Sequence, residues 1–198
     1  MVNEALLSVE TYLARERLSK EKHEYVQGRI YAMAGASRAH ITICANLTIS
    51  IGSIFRGSTC QTFTSDMRVG IEESGVYYYP DLSVTCGEPK FRDDAKVDTL
   101  LNPIAIFEVL SPSTEQIDRS EKFDYYAKIP SLKLYTLISS IQPRVETFEA
   151  QSDGSWRREA FTNLTDTATL RPLAIEIPLT DFYERLTFDP DSTNLRAI

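Results

Sequence analysis

Apolar residues between positions 38 and 55 return every three or four places. Ile43, Leu47, Ile51 and Ile54 form one line, and Ile41, Ala45 and Ile49 widen it. This period matches the α-helical turn and predicts the longest helix of the chain, apolar enough to lie on a sheet. Arg56-Gly57-Ser58 ends it, because glycine accepts the left-handed backbone that closes helices. A shorter helix is predicted over residues 8–18, where Ser8 is placed to cap and Val9, Tyr12 and Leu13 follow at helical spacing. Between the two, residues 24–26 and 29–33 flank Gln27-Gly28 and predict a β-hairpin.

The pattern then changes period. Residues 60–71 and 76–86 alternate in part and predict two strands joined by a turn at 72–75. Residues 104–110 form a short, nearly continuous apolar run, the mark of a strand covered on both faces. A polar loop spans 87–101. After Leu110, Ser113 and Gln116 have the spacing of a capping box, so a helix is expected to about Lys128, with Pro130 ending it. Residues 132–138 predict a further strand. Residues 144–150 and 155–161 flank Asp153-Gly154 as a second hairpin, and 174–177 a last strand before a short helix near 180–186. Antiparallel meanders with one strand–helix–strand unit predict an α/β fold with a mixed sheet and flanking helices. No internal repeat or low-complexity block interrupts it, so a single domain over 1–186 with a polar tail, 187–198, is the expected organisation.

Composition narrows the class. Hydrophobic residues at 42% and charged residues at 25% supply an ordinary globular core. No apolar run approaches the roughly 18 residues that span a bilayer, and the polar, acidic start is unlike a signal peptide. The expectation is therefore a cytoplasmic protein with no membrane partner. Cys44, Cys60 and Cys86 are far apart, without metal-knuckle spacing, and read as buried reduced thiols. A net charge of −7 counts against broad, non-specific nucleic-acid binding but leaves room for a basic rim around an acidic centre.

Candidate chemistry lies where acids interrupt predicted core strands. Asp81 follows Pro80 inside 76–86, and Glu108 is the only charged residue of 104–110. A buried carboxylate left unpaired costs roughly several kcal/mol. Either Arg68 or Lys122 pairs with these acids, or a divalent cation lies between Asp81 and Glu108. Hard oxygen ligands suit Mg²⁺ or Mn²⁺. Lys122, on the helix after the Glu108 strand, is then placed to hold an attacking water.

Three segments carry a resemblance: Tyr79-Pro80-Asp81; Phe107-Glu108-Val109-Leu110-Ser111; and Asp118-Arg119-Ser120-Glu121-Lys122 with Tyr125-Tyr126. With Glu24-Tyr25, Gly28, Met33, Gly35 and His40 upstream, the chain to about residue 186 resembles the Uma-two family. This mostly bacterial family, abundant in cyanobacteria, comprises restriction-endonuclease-like proteins of the PD-(D/E)XK superfamily. The resemblance implies a restriction-endonuclease-like α/β core, here with an N-terminal helix and hairpin, and metal-dependent phosphodiester hydrolysis, with DNA the expected substrate. It matches Asp81 and Glu108 to the two motif acids. The superfamily lysine two residues after the second acid is Leu110 here, so Lys122 takes that role by migration to the helix. Glu24 either adds a ligand or pairs on the hairpin surface. His40 lines the site or is structural, and Arg68 binds phosphate or pairs with Asp66. A homodimer is expected for cutting a duplex, with Tyr77–Tyr79 or the C-terminal segment as its contact. The alternative is a catalytically degenerate nuclease-fold protein acting as a binding or assembly module. A small phosphohydrolase of another fold is a third reading.

Overall fold

The computed structural model describes residues 6–33, 35–92 and 96–188. Helix α1 (Val9–Glu16) is capped by Ser8, whose hydroxyl accepts from the Thr11 amide at 3.1 Å. Strands β1 (His23–Val26) and β2 (Arg29–Ala32) follow as the expected hairpin. Both turn residues have positive φ, Gln27 at 48° and Gly28 at 95°, as a two-residue turn between twisted strands requires. Helix α2 (Arg38–Ile54) is capped by Ser37, which accepts from the His40 amide. Ile43, Leu47 and Ile51 are wholly buried, whereas Ile41, Ile49 and Ile54 are exposed. The apolar side is thus narrower than its composition predicts.

The two runs read as single strands each break in two. Residues 60–71 give β3 (Cys60–Thr64) and β4 (Arg68–Ile71); residues 76–86 give β5 (Val76–Tyr78) and β6 (Leu82–Cys86). Each break carries the chain from one sheet to another. Strands β4 and β5 join the hairpin and β7 (Thr99–Leu100) in a five-stranded sheet of order β2-β1-β5-β4-β7. Strands β3 and β6 lie in a six-stranded sheet of order β11-β10-β9-β8-β6-β3. This second sheet also contains β8 (Ala105–Leu110), β9 (Leu134–Ser139), β10 (Val145–Ala150) and β11 (Trp156–Phe161). Pro80, with no N–H to give a ladder, sits at the second crossing. Strands β8 and β9 are parallel, joined across a helical segment, and most other pairs are antiparallel. The mixed α/β architecture is as the pattern predicts. A small hairpin of β12 (Thr167–Leu170) and β13 (Ile175–Pro178) leads into α5 (Leu179–Phe182). Strands β7 and β12 were not legible in the pattern.

The six-stranded sheet is covered on both faces. On one side α2, α5 and the small hairpin pack on Leu82, Val84, Phe107 and Val109. On the other, Ile106, Leu110, Tyr135 and Leu137 meet Val69, Ile71, Val76 and Tyr78 of the five-stranded sheet, with Tyr126 between them. Tyr77, Tyr78 and Tyr79 are all buried here, so they do not form the exposed dimer contact expected of them. The other expected contact, in the C-terminal segment, lies largely outside the described residues. Among those described, no helix is long and apolar enough to cross a membrane.

Two further expectations are corrected. Cys60 and Cys86 stand opposite each other on β3 and β6 and form a disulfide, because the register brings together residues 26 apart in sequence; only Cys44 is a free thiol. The helix after Leu110 begins without a capping box. It runs through α3 (Glu115–Ile117), a wider π-helical turn at Asp118–Lys122, and α4 (Phe123–Tyr126).

That π-helical turn is tied down by a buried carboxylate. Glu146 of β10 accepts from Arg119 at 2.6 Å and Arg144 at 2.8 Å, and also pairs with Arg158 of β11. Burial alone would raise its pKa, but the three guanidiniums hold it down to about 2 from an ordinary 4.5. A depressed carboxylate contributes stability above its unfolded pKa and loses it as pH falls through the folded one. Glu146→Gln is predicted to lower the melting temperature at pH 7, with the gap to wild type closing as pH falls from 4.5 toward 2. Thermal melts across that range check it; a gap independent of pH refutes it.

Candidate metal centre

Strand β8 is the middle of the six-stranded sheet, and every residue of it is buried. Glu108 shares the face of Ile106 and Leu110, and its Oε1 accepts from the Tyr126 hydroxyl at 3.1 Å. Asp81 ends the break between β5 and β6. Since Leu82 is registered with Phe107, Asp81 stands one step along from that pair, beside Glu108. Its Oδ2 accepts from the Val109 amide at 2.7 Å, which places that carboxylate oxygen on the peptide unit joining Glu108 to Val109. The crossing between sheets therefore delivers Asp81 to the second acid.

The π-helical turn brings the remaining groups. Asp118 and Lys122 are four residues apart, and both are buried. The Tyr135 hydroxyl donates to the Asp118 carbonyl at 2.8 Å, pinning the turn to β9. Lys122 Nζ lies 2.8 Å from Glu24 Oε1, 3.3 Å from Asp118 Oδ1 and 3.6 Å from Glu108 Oε1. It also sits over the Tyr78 ring. π-Helical turns recur at functional sites because the extra residue re-aims side chains. From α2, His40 Nε2 approaches Asp81 Oδ1 at 3.0 Å.

The sum is four carboxylates, Glu24, Asp81, Glu108 and Asp118, around one ammonium and one imidazole. The side chains of Glu108 and Asp118 are only 5% and 4% exposed. The electrostatics follow from this crowding. Burial pushes the Glu108 carboxyl well above the glutamate range; Lys122 opposes this, and Asp118, Asp81 and Glu24 add to it. Burial alone would lower the pKa of Lys122, but Glu108, Glu24 and Asp118 hold it well above the lysine range, so it remains an ammonium. His40 is desolvated too, yet its hydrogen bond to Asp81 and that residue's charge raise it. Glu24 Oε1 and Asp118 Oδ1 are buried without a well-formed hydrogen bond, although both face the lysine charge.

Asp81, Glu108, Lys122, Glu24 and His40 are thus neighbours. Glu24 faces Lys122 rather than a surface partner on the hairpin. Arg68 is not among them. It lies on the five-stranded sheet, bound to Asp98 at 2.7 Å, Tyr79 and Thr99, in a network that runs through Glu16 to α1. Nor does it pair with Asp66, which meets Lys22. The sequence reading gives no site role to Asp118, Tyr126 or Cys44, although the first two stand in the segments that carry the resemblance. Asp118 and Lys122 read from spacing alone as an ordinary surface pair on a helix. A cleft of about 320 Å³ beside α1, lined by Leu7, Tyr12, Glu16 and His23 among others, shares no residue with this centre.

Residues 9–180 match the profile of the Uma2 family, described as "Putative restriction endonuclease". Two Synechocystis proteins are similar along most of their length. Uncharacterized protein slr1290 is 36% identical over 182 residues, covering 92% of this chain and 94% of its own. Uncharacterized protein sll1609 is 39% identical over 151 residues, covering 76% and 85%. The fold matches the crystal structure of "a putative nuclease belonging to DUF820" from Anabaena variabilis with a TM-score of 0.71. That match has 17% identity and covers 89% of this chain and 97% of the other.

A carboxylate whose pKa is raised on folding destabilises the folded chain once pH exceeds its unfolded value. Glu108→Gln is therefore predicted to raise the melting temperature at pH 8 in the presence of a chelator, and to change it little at pH 4. A glutamine variant less stable than wild type at pH 8 would contradict the charge balance described here.

Proposed function

The chain belongs to the Uma2 family, and from that premise we propose that it is a divalent-cation-dependent endonuclease that hydrolyses phosphodiester bonds in DNA. The observation that carries the reading is the buried excess of carboxylates over cations around Glu108. Such an excess is unfavourable in the protein alone and suits a hard cation with oxygen ligands. Asp81 and Glu108 would hold Mg²⁺ or Mn²⁺, with Glu24 assisting; the buried oxygens of Glu24 and Asp118, which share the single Lys122 ammonium with Glu108, support the fit. Bound there, the cation supplies Lewis acidity at a phosphate oxygen and eases deprotonation of water.

The chain's own groups do the rest. The Lys122 ammonium, protonated at neutral pH, donates a hydrogen bond to the attacking water and offsets charge developing on the phosphate as the water oxygen bonds to phosphorus and loses its proton to solvent, while the ester oxygen departs with the P–O bonding pair and takes a proton from solvent. It takes the place of the lysine that Leu110 displaces from the strand. Tyr126 and the Val109 amide fix the orientation of Glu108 and Asp81. We further propose a homodimer, since one centre cuts one strand. The exposed Ile41 and Ile49 on the outer side of α2 are the apolar residues offered for that contact.

Lys122→Ala is predicted to lower Mg²⁺-dependent DNA cleavage by about 10²–10³-fold while calorimetry still detects Mn²⁺ binding; Asp81→Ala is predicted to abolish both. DNA and RNA substrates are to be tested side by side with Mg²⁺ and Mn²⁺. Full cleavage by Lys122→Ala would remove the lysine from the mechanism. Absence of cleavage by the wild-type protein on every substrate would favour a non-catalytic binding module. Sedimentation is predicted to give a dimer at micromolar concentration that Ile49→Lys splits; a wild-type monomer removes that proposal.

A further inference from the structure

Asp81 has a second set of neighbours that the proposed hydrolysis does not use. His40 and Cys44 are four residues apart on one side of α2, and both face the carboxylate. His40 Nε2, Cys44 Sγ and an Asp81 oxygen lie within 4.8 Å of one another. The imidazole and carboxylate are already 3.0 Å apart. Two ligand atoms bound tetrahedrally to zinc at about 2.0–2.3 Å stand roughly 3.3–3.5 Å from each other. The trio is therefore within small side-chain movements of a coordination shell.

We propose that His40, Cys44 and Asp81 form a second metal site, selective for a borderline-soft ion such as Zn²⁺, that competes with the oxygen-ligand centre for Asp81. The donor chemistry separates the two. Glu24, Asp81, Glu108 and Asp118 offer only hard oxygens, whereas imidazole with thiolate discriminates against magnesium and in favour of zinc. Three protein ligands with an open fourth position form a known zinc arrangement. Cys44 is free for the purpose, since the chain's disulfide joins Cys60 to Cys86. Ions can reach the site: the His40 and Asp81 side chains are 16% and 14% exposed. The Val109 amide on the other Asp81 oxygen is the kind of outer contact that orients a ligating carboxylate. Binding releases the Cys44 proton to solvent, since the thiolate is the ligand. With zinc in place Asp81 is drawn toward α2, and the oxygen centre beside Glu108 loses a ligand. Zinc is thus an inhibitor of the proposed nuclease; the competition and the inhibition rest on the nuclease reading, and the zinc site itself does not.

The test uses Co²⁺ as a spectroscopic stand-in for zinc, added to the whole chain without reductant so that the disulfide stays closed. One equivalent is expected to give a near-ultraviolet thiolate-to-cobalt charge-transfer band that Zn²⁺ displaces. Cys44→Ser, shown folded by circular dichroism, abolishes the band. His40→Ala weakens cobalt affinity by roughly a hundredfold, at least the effect of losing an outer contact. Glu108→Gln retains the band. Absence of the band in wild type, its survival in Cys44→Ser, or its loss in Glu108→Gln overturns the site. The band does not depend on cleavage, so an inactive protein that shows it would refute the nuclease alone. Cleavage unaffected by Zn²⁺ at concentrations that saturate the band would refute the competition.

Discussion

The ammonium of Lys122, held against Glu24, Asp118 and Glu108 in a buried space, is the interaction around which the rest is arranged. It joins the five-stranded sheet, through β1, to the six-stranded sheet, through β8, and to the helical turn between β8 and β9. Burial raises the Glu108 carboxyl well above the glutamate range, and the one positive charge of Lys122 does not offset the neighbouring carboxylates that add to the rise. The site is strained electrostatically rather than conformationally. Under the proposed function, folding stability and cation affinity are opposed here: whatever relieves the crowding without a cation also removes the reason to bind one.

The scaffolding follows from that requirement. Asp81 reaches β8 because the chain leaves one sheet at Tyr78 and enters the other at Leu82, with Pro80 between. Lys122 faces inward because Asp118 is anchored by Tyr135, and Arg119, its neighbour, is anchored by Glu146 on the opposite side of the same turn. The basic group around Glu146 and the acidic group around Lys122 thus meet on one π-helical turn, through Arg119 and Lys122.

Much of this was legible in the sequence, for physical reasons. An acid amid Ile104, Ile106 and Leu110 in a strand covered on both faces requires a strong partner, so the sequence pointed to Glu108 and to Lys122, which the structure places beside it. The period of α2 and the two hairpins depended on local signals and were found. Sheet membership was not, because 60–71 and 76–86 keep their alternation across a change of sheet, and alternation is blind to which neighbour a strand pairs with. Arg68 looked like a site residue from its place in sequence, yet the turn at Ser65–Met67 sends β4 into the other sheet. Cys44 and Asp118 matter through contacts made by distant segments, which spacing alone does not reveal. The Cys60–Cys86 pairing was missed for the same reason.

That disulfide has a topological consequence. It joins the first residue of β3 to the last of β6, so the 26-residue separation between them becomes a covalent ring. The ring contains both crossings between the sheets, and with them Asp81. A chain closed in this way has fewer disordered arrangements to gain on opening, by roughly 3.5 kcal/mol on a chain-entropy estimate for such a loop. The segment that presents Asp81 to Glu108 is therefore tethered at both ends to a single point on the sheet edge. With the bond intact, the outer strand β3 cannot peel from β6 at that end, and the loop closure is already complete before any neighbouring element folds against it.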